Sequence, residues 1–223
     1  MTLLPRKPIS LFRSPFLIFS MASLLSLSLL SFFLYLSLSS ATRHRRHSAI
    51  AADSDALRHA CNATRFPQQC ESSLTNLPPN PTALQILQSA IFVSSDNLHK
   101  AQSMAKSILD SSASNINRSI AAKICIQVLQ NSDYRINLAV AALPAGKTKD
   151  ARAWLSAAVA YHYDCWSALK YANDTRMVGD TMAFLNDNLI GLASNALSMV
   201  AAYDVAGNDT ASWRPPLTER DGF

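Results

Sequence analysis

Four stretches of this chain repeat apolar or small residues at steps of three and four, and that period restricts the fold more than any other feature. The first follows "NLPPNPT" and runs Leu84, Leu87, Ile91, Ser94, Leu98, Ala101, Ala105 and Ile108, with Thr82 placed to cap it. The second begins near Asn117 and runs Cys125, Leu129, Ser132, Ile136, Ala139 and Leu143, ending at "PAGKTK". The third starts at about Asp150 and runs Trp154, Ala158, Tyr161, Cys165, Ala168 and Ala172, ending at "NDT". The fourth runs Val178, Met182, Leu185, Leu189, Leu192, Ala196, Met199 and Tyr203. Such spacing puts each set on one face of a helix. Alternating steps of three and four suit helices that cross near 20°. The short breaks between them favour antiparallel neighbours. The expectation is an all-α fold, an up-down-up-down four-helix bundle. Composition agrees: there are only five glycines, while alanine and leucine, the strongest helix formers, are plentiful. So little glycine disfavours phosphate-cradling loops and turn-dense β folds.

Ahead of the bundle stands "HACNATRFPQQCESSL", His59 to Leu74. Pro67 prevents one helix from running through it. Two short helical pieces around a bend, a hairpin leading into the bundle, fit better. So small a unit has little core of its own and needs a covalent staple.

Whether cysteines can form staples depends on the compartment. The chain opens with an uncharged apolar run, Phe16 to Ala41, preceded by Arg6, Lys7 and Arg13. Ser39 and Ala41 place small residues where a signal-peptide cleavage site needs them. The run is also long enough to cross a bilayer, and Arg43, Arg45 and Arg46 follow it, so charge does not decide orientation. Residues 1–41 read as a signal peptide or a signal anchor; a membrane is involved only if the segment stays uncleaved. Either reading exports the rest to the cell exterior. Four Asn-x-Ser/Thr sequons, at Asn62, Asn117, Asn173 and Asn208, fit export and mark candidate glycosylation sites.

In an oxidising compartment four cysteines read as two disulfides, with three pairings open. The closeness of Cys61 and Cys70 invites local closure, leaving Cys125 and Cys165 for a long bridge. That bridge would join the second and third helical stripes and close a loop worth about 4 kcal/mol in the chain-entropy model. A zinc site is the weaker alternative, because no Cys-x-x-Cys or nearby ligand histidine is present. No metal or other cofactor is expected.

The formal charge of +5 comes from 20 Lys/Arg against 15 Asp/Glu. Three of the basic residues precede Ala41, so the remainder carries a net of +2, too little for a nucleic-acid footprint. Residues 42–51, containing "TRHRRHS", read as a basic linker, 52–205 as the helical domain, and 206–223 as a polar, Pro-containing tail.

Catalytic groups do not assemble in this sequence. The histidines are scattered, and His162, between Tyr161 and Tyr163, reads as a core-edge or surface residue. Only Glu71 and Glu219 are glutamates, and the aspartates are spread singly, so no carboxylate pair for acid/base work can be nominated. A secreted, disulfide-braced bundle of this kind works through its surface and is not expected to be an enzyme.

Three segments carry a family likeness. "CNATRFPQQCESSL" resembles the opening of the plant invertase/pectin methylesterase inhibitor family. "WLSAAVAYHYDC", Trp154 to Cys165, is similar to that family's Trp-Leu-Ser-Ala-Ala run before its fourth cysteine, and "LASNALSMV", Leu192 to Val200, to its last-helix signature. The likeness spans roughly Ala52 to Val205 and includes all four cysteines in order and spacing. It implies a helical hairpin plus a four-helix bundle with bridges Cys61–Cys70 and Cys125–Cys165. It also implies stoichiometric inhibition of a cell-wall enzyme by covering its substrate cleft. There are departures. The family often has Asp-Cys with a Tyr four residues on, where this chain has Ile124-Cys125 and Leu129. Asp164 stands where Thr often precedes the fourth cysteine. The Trp-Leu-Ser-Ala-Ala run, and "PAGKTKDARAW" in place of the invertase branch's Pro-Lys-Phe, favour pectin methylesterase as partner over acid invertase. "SWRPPLTERDGF" resembles the junction of longer pectinesterases, which makes an inhibitory or chaperone-like pro-region the alternative. Candidate partner-binding residues off the core stripes are Gln130, Tyr134, Asn137, Arg152 and Tyr163.

Overall fold

Thr82 closes a capping box: its hydroxyl accepts from the Gln85 N–H at 3.2 Å, and its own N–H donates to Gln85 Oε1 at 2.8 Å. This starts a helix where the prolines of "NLPPNPT" release the chain. The structure is a computed structural model that describes residues 55–215. The expected leader (1–41), the basic linker (42–51) and residues 216–223 of the tail lie outside these.

Among the described residues, seven α-helices follow one another. A hairpin is made by α1 (55–62) and α2 (Pro67–Ser73), with Pro67 in the first turn of α2, where a missing N–H costs nothing. Next come α3 (Ala83–Asp110), α4 (Ile116–Ala142) and α5 (Thr148–Lys170). The last long helix is α6 (Arg176–Phe184) continued through a π-helical turn, Leu185–Ile190, into α7 (Gly191–Ala206). Asn115 and Thr175 cap α4 and α6 by accepting from Arg118 N and Val178 N. Gly146, with φ of +70°, supplies the left-handed turn between α4 and α5. No strand occurs among the described residues.

The bundle is a square. Each of α3–α4, α4–α5, α5–α7 and α7–α3 is a packed edge. Cross-links at Gln102–Leu129, Ser132–His162 and Thr148–Asp204 show each successive pair to be antiparallel. Cys61 pairs with Cys70, Cα atoms 5.5 Å apart, and Cys125 with Cys165, 4.1 Å apart. The first and second stripes are core, apart from Leu84, which is half-buried. The third is core in part: Ala158, Cys165 and Ala172 are buried as expected. Leu155, His162 and Leu169 are buried, whereas Trp154, Tyr161 and Ala168 are half-buried at its edge. Rings with a polar part fit a seam better than a close-packed centre. His162, read from sequence as an edge residue, is therefore fully buried.

The segment Arg176–Ala206 forms 31 helical residues, apolar enough by composition to cross a membrane; burial in the bundle accounts for that character. From Leu189 to Ala196 every residue is buried, on all faces. The bundle covers one side of it and the hairpin the other. Asn195 clamps the hairpin: its Oδ1 accepts from Phe66 N–H at 2.9 Å and its Nδ2 donates to Phe66 C=O at 3.0 Å. Gln69 Nε2 donates to the Asp187 carbonyl in the π-turn at 2.7 Å. The Gln69 side chain rests against Gly191, where any larger residue would make its amide end shift.

The packed unit reaches past the expected boundary at Val205. Gly207 ends α7 at φ +58°, a 3₁₀ turn spans Thr210–Ser212, and Trp213 folds back and is buried. Its Nε1–H donates to Gly207 C=O at 3.0 Å, and its ring meets Tyr203 edge-on at 6.3 Å.

Candidate partner-binding surface

The outward seam between α4 and α5 carries a short ladder of rings around one cation. The Arg135 guanidinium lies 4.7 Å from the Trp154 ring centre and 5.5 Å from that of Tyr134. Both distances suit cation–π attraction, and the guanidinium keeps donors free for a partner. Tyr134 is 60% exposed. Farther along the same seam, past the Cys125–Cys165 bridge, Ile120, Ile124, Ala168 and Tyr171 line a shallow groove of about 340 Å³.

The five candidates do not form one patch. Gln130 and Tyr134 share the outer face of α4, one turn apart. Asn137 turns toward α3 and lines a groove of about 530 Å³ with Phe92, Val140 and Gln88. Arg152 faces α7, where it pairs with Asp204 at 3.3 Å; the same carboxylate accepts from Thr148 Oγ1. Tyr163 follows Arg152 by eleven residues, close to three full turns, and so shares that other face. The structure therefore adds Arg135, Trp154 and Phe92 as candidates. Trp154 had been absorbed into a core stripe. Arg135 carries no sequence signal for its closer contact, because the Trp154 ring is on another helix. All four sequon asparagines are exposed.

Chemistry is not assembled elsewhere among the described residues. No group of His, Cys, Asp and Glu side chains could hold a metal, and no cysteine there is free. His162 Nε2 meets Ser132 Oγ at 2.7 Å, and its Nδ1 has no partner. Burial pushes the His162 pKa down to about 3, so the ring is neutral. Sealed in the core, it can contact no substrate.

A helical hairpin stapled by one bridge, a square bundle pinned by another, and a surface without reacting groups narrow the identity. The family model described as plant invertase/pectin methylesterase inhibitor matches residues 55–199. The chain belongs to that family. An Arabidopsis thaliana protein named probable pectinesterase/pectinesterase inhibitor 64 is 51% identical over 170 residues, covering 75% of this chain and 28% of its own length. Pectinesterase 1 from Arabidopsis thaliana is 25% identical over 167 residues, again 28% of its own length. The chain thus spans little more than a quarter of these relatives. A solved mutant form of an Arabidopsis pectin methylesterase inhibitor shares the fold at TM-score 0.54 and 15% identity, over 63% of this chain and 92% of that one. A second pectin methylesterase inhibitor structure from Arabidopsis thaliana aligns at 0.50 and 16% identity, over 66% and 96%. These inhibitor-family neighbours match the four-helix bundle at the level of fold.

Proposed function

We propose that this chain is a proteinaceous inhibitor of pectin methylesterase, forming a stoichiometric complex that covers the enzyme's substrate cleft. Family membership over residues 55–199 carries the reading. The α4/α5 seam supports it with the residue types that most often anchor interfaces, Trp, Tyr and Arg. Inhibition by coverage needs binding and no bond chemistry, which suits a surface of this kind. The Trp154–Ala158 run supports pectin methylesterase over acid invertase. The apolar leader and the sequons support secretion to the cell wall.

The test is a titration of the purified protein against pectin methylesterase and, separately, acid invertase, with residual activity measured. Loss of pectin methylesterase activity that ends at one equivalent, with invertase untouched, is the expected result. The reverse pattern would move the target to invertase.

A second reading is favoured by one observation. The 51%-identical relative carries "pectinesterase" in its name, and this chain spans 28% of it. In that reading the domain is a pro-region acting in cis on a catalytic domain, as inhibitor or folding aid. Sequencing the transcript beyond Phe223 distinguishes the two.

A further inference from the structure

Asn117 opens onto an apolar groove whose other walls have no counterpart inside the bundle. The groove is lined by Ile120, Ala121 and Ile124 from α4 and by Ala168, Tyr171 and Ala172 from the end of α5. Three of these are open to solvent: Ile120 is 49% exposed, Ile124 44% and Tyr171 89%. Ile120 and Ile124 lie one and two turns beyond Asn117 on the same helix face. Helical side chains lean toward the N-terminus, so Ile120 leans over the Asn117 turn. The groove thus continues along α4 for about 10 Å from the asparagine. That is the span of two linked pyranose rings.

The geometry points to Asn117 as an occupied N-glycosylation site whose first two sugars lie in this groove. The triplet Asn117-Arg118-Ser119 is an acceptor sequence. The covalent attachment point is itself part of the groove wall. Charge is matched: the lining holds no Asp, Glu, Lys, Arg or His, and neighbouring Arg118 is paired with Asp174 at 3.0 Å. An uncharged N-acetylglucosamine pair fits such walls. Its C–H faces would lie on Ile120 and the Tyr171 ring, and its hydroxyls would face water. The other sequons lack this setting. Asn62 borders a cavity with Arg65, Glu71 and Asp187 around it, and Asn173 and Asn208 sit in loop and turn positions outside any of these grooves. The inference is independent of which enzyme the protein inhibits.

The experiment expresses the full chain in plant secretory cells and maps tryptic glycopeptides by mass spectrometry. Asn117 should carry a glycan in most molecules. The melting temperature is then compared across the glycosylated protein, S119A, which removes the acceptor but keeps Asn117, Y171A, and the S119A/Y171A pair. Each single variant should melt about 2–4 °C lower, and the pair no lower than either single. An unmodified Asn117 overturns the proposal. So does an occupied Asn117 whose loss adds fully to that of Tyr171, because a glycan elsewhere on the surface would not share the groove.

Discussion

Ser132 Oγ and His162 Nε2 lie 2.7 Å apart across the α4/α5 interface, and both residues are completely buried. Burial of the His162 ring makes the bundle sensitive to acid. The folded ring titrates near 3 and the unfolded one near 6.5. Below pH 6.5 the unfolded chain binds a proton that the folded chain refuses. Stability is therefore full above that pH and falls by about 1.4 kcal/mol per pH unit on the way to pH 3. Urea unfolding at pH 7, 5 and 4 should show this slope, and His162→Gln should flatten it. A variant with the parent's slope would place the acid sensitivity elsewhere.

Asn195 should matter more than its single side chain suggests. Asn195→Ala removes both hydrogen bonds to the Phe66 backbone and leaves the Phe66 N–H unpaired, while the Phe66 C=O keeps its bond from the Cys70 N–H. The expected cost is about 2–3 kcal/mol. The loss should be local first: trypsin should cut after Arg65 sooner in the variant than in the parent.

The two bridges should differ in weight. Cys125–Cys165 closes 40 residues and joins two core helices; Cys61–Cys70 closes nine. Chain entropy alone gives about 4 against about 2.5 kcal/mol. The Cys125→Ala/Cys165→Ala pair should lower the melting temperature more than the Cys61→Ala/Cys70→Ala pair. The opposite order would mean that the hairpin, clamped on α7, holds the bundle.

If the α4/α5 seam meets the enzyme, Arg135→Ala and Tyr134→Ala should each weaken inhibition about 30-fold, the loss of an interface anchor worth about 2 kcal/mol. Arg152→Ala and Tyr163→Ala, on the α7 side, should change it less than threefold. Circular dichroism would verify folding in each. Equal inhibition by all four would exclude both faces.

The sequence made the helices legible because their period is local and survives without neighbours. The hairpin was legible too, from Pro67 and the close cysteines. What it could not show were relations between segments. In α5 the choice of Leu155 over Trp154 and of His162 over Tyr161 as the buried neighbour depends on how α4 and α7 pack against it, and those helices belong to other parts of the chain. The fully buried stretch of α7 read as one more amphipathic stripe, since nothing near it in sequence announces a hairpin on its far side. Trp213 read as part of a linker because its partners, Gly207 and Tyr203, reach it only through a reversal of the chain. The candidate surface suffered most: five residues chosen for being off the stripes fall on faces that point apart.

The π-turn at Leu185–Ile190 sets a phase. One extra residue in a helix advances everything after it by about 100° around the axis. Before the turn, Val178 and Thr181 face the core; after it, Asn195 faces the hairpin while Ala196 and Met199 still face the core. Deleting any single residue from 185–190 would let the helix run through as a regular α-helix and would swing Asn195 away from Phe66. The chain would keep its bridges and its helices, yet lose the alignment by which the hairpin and the last helix recognise each other. In this fold the irregular turn acts as an indexing mark, setting which face of the last helix the hairpin of residues 55–73 can find.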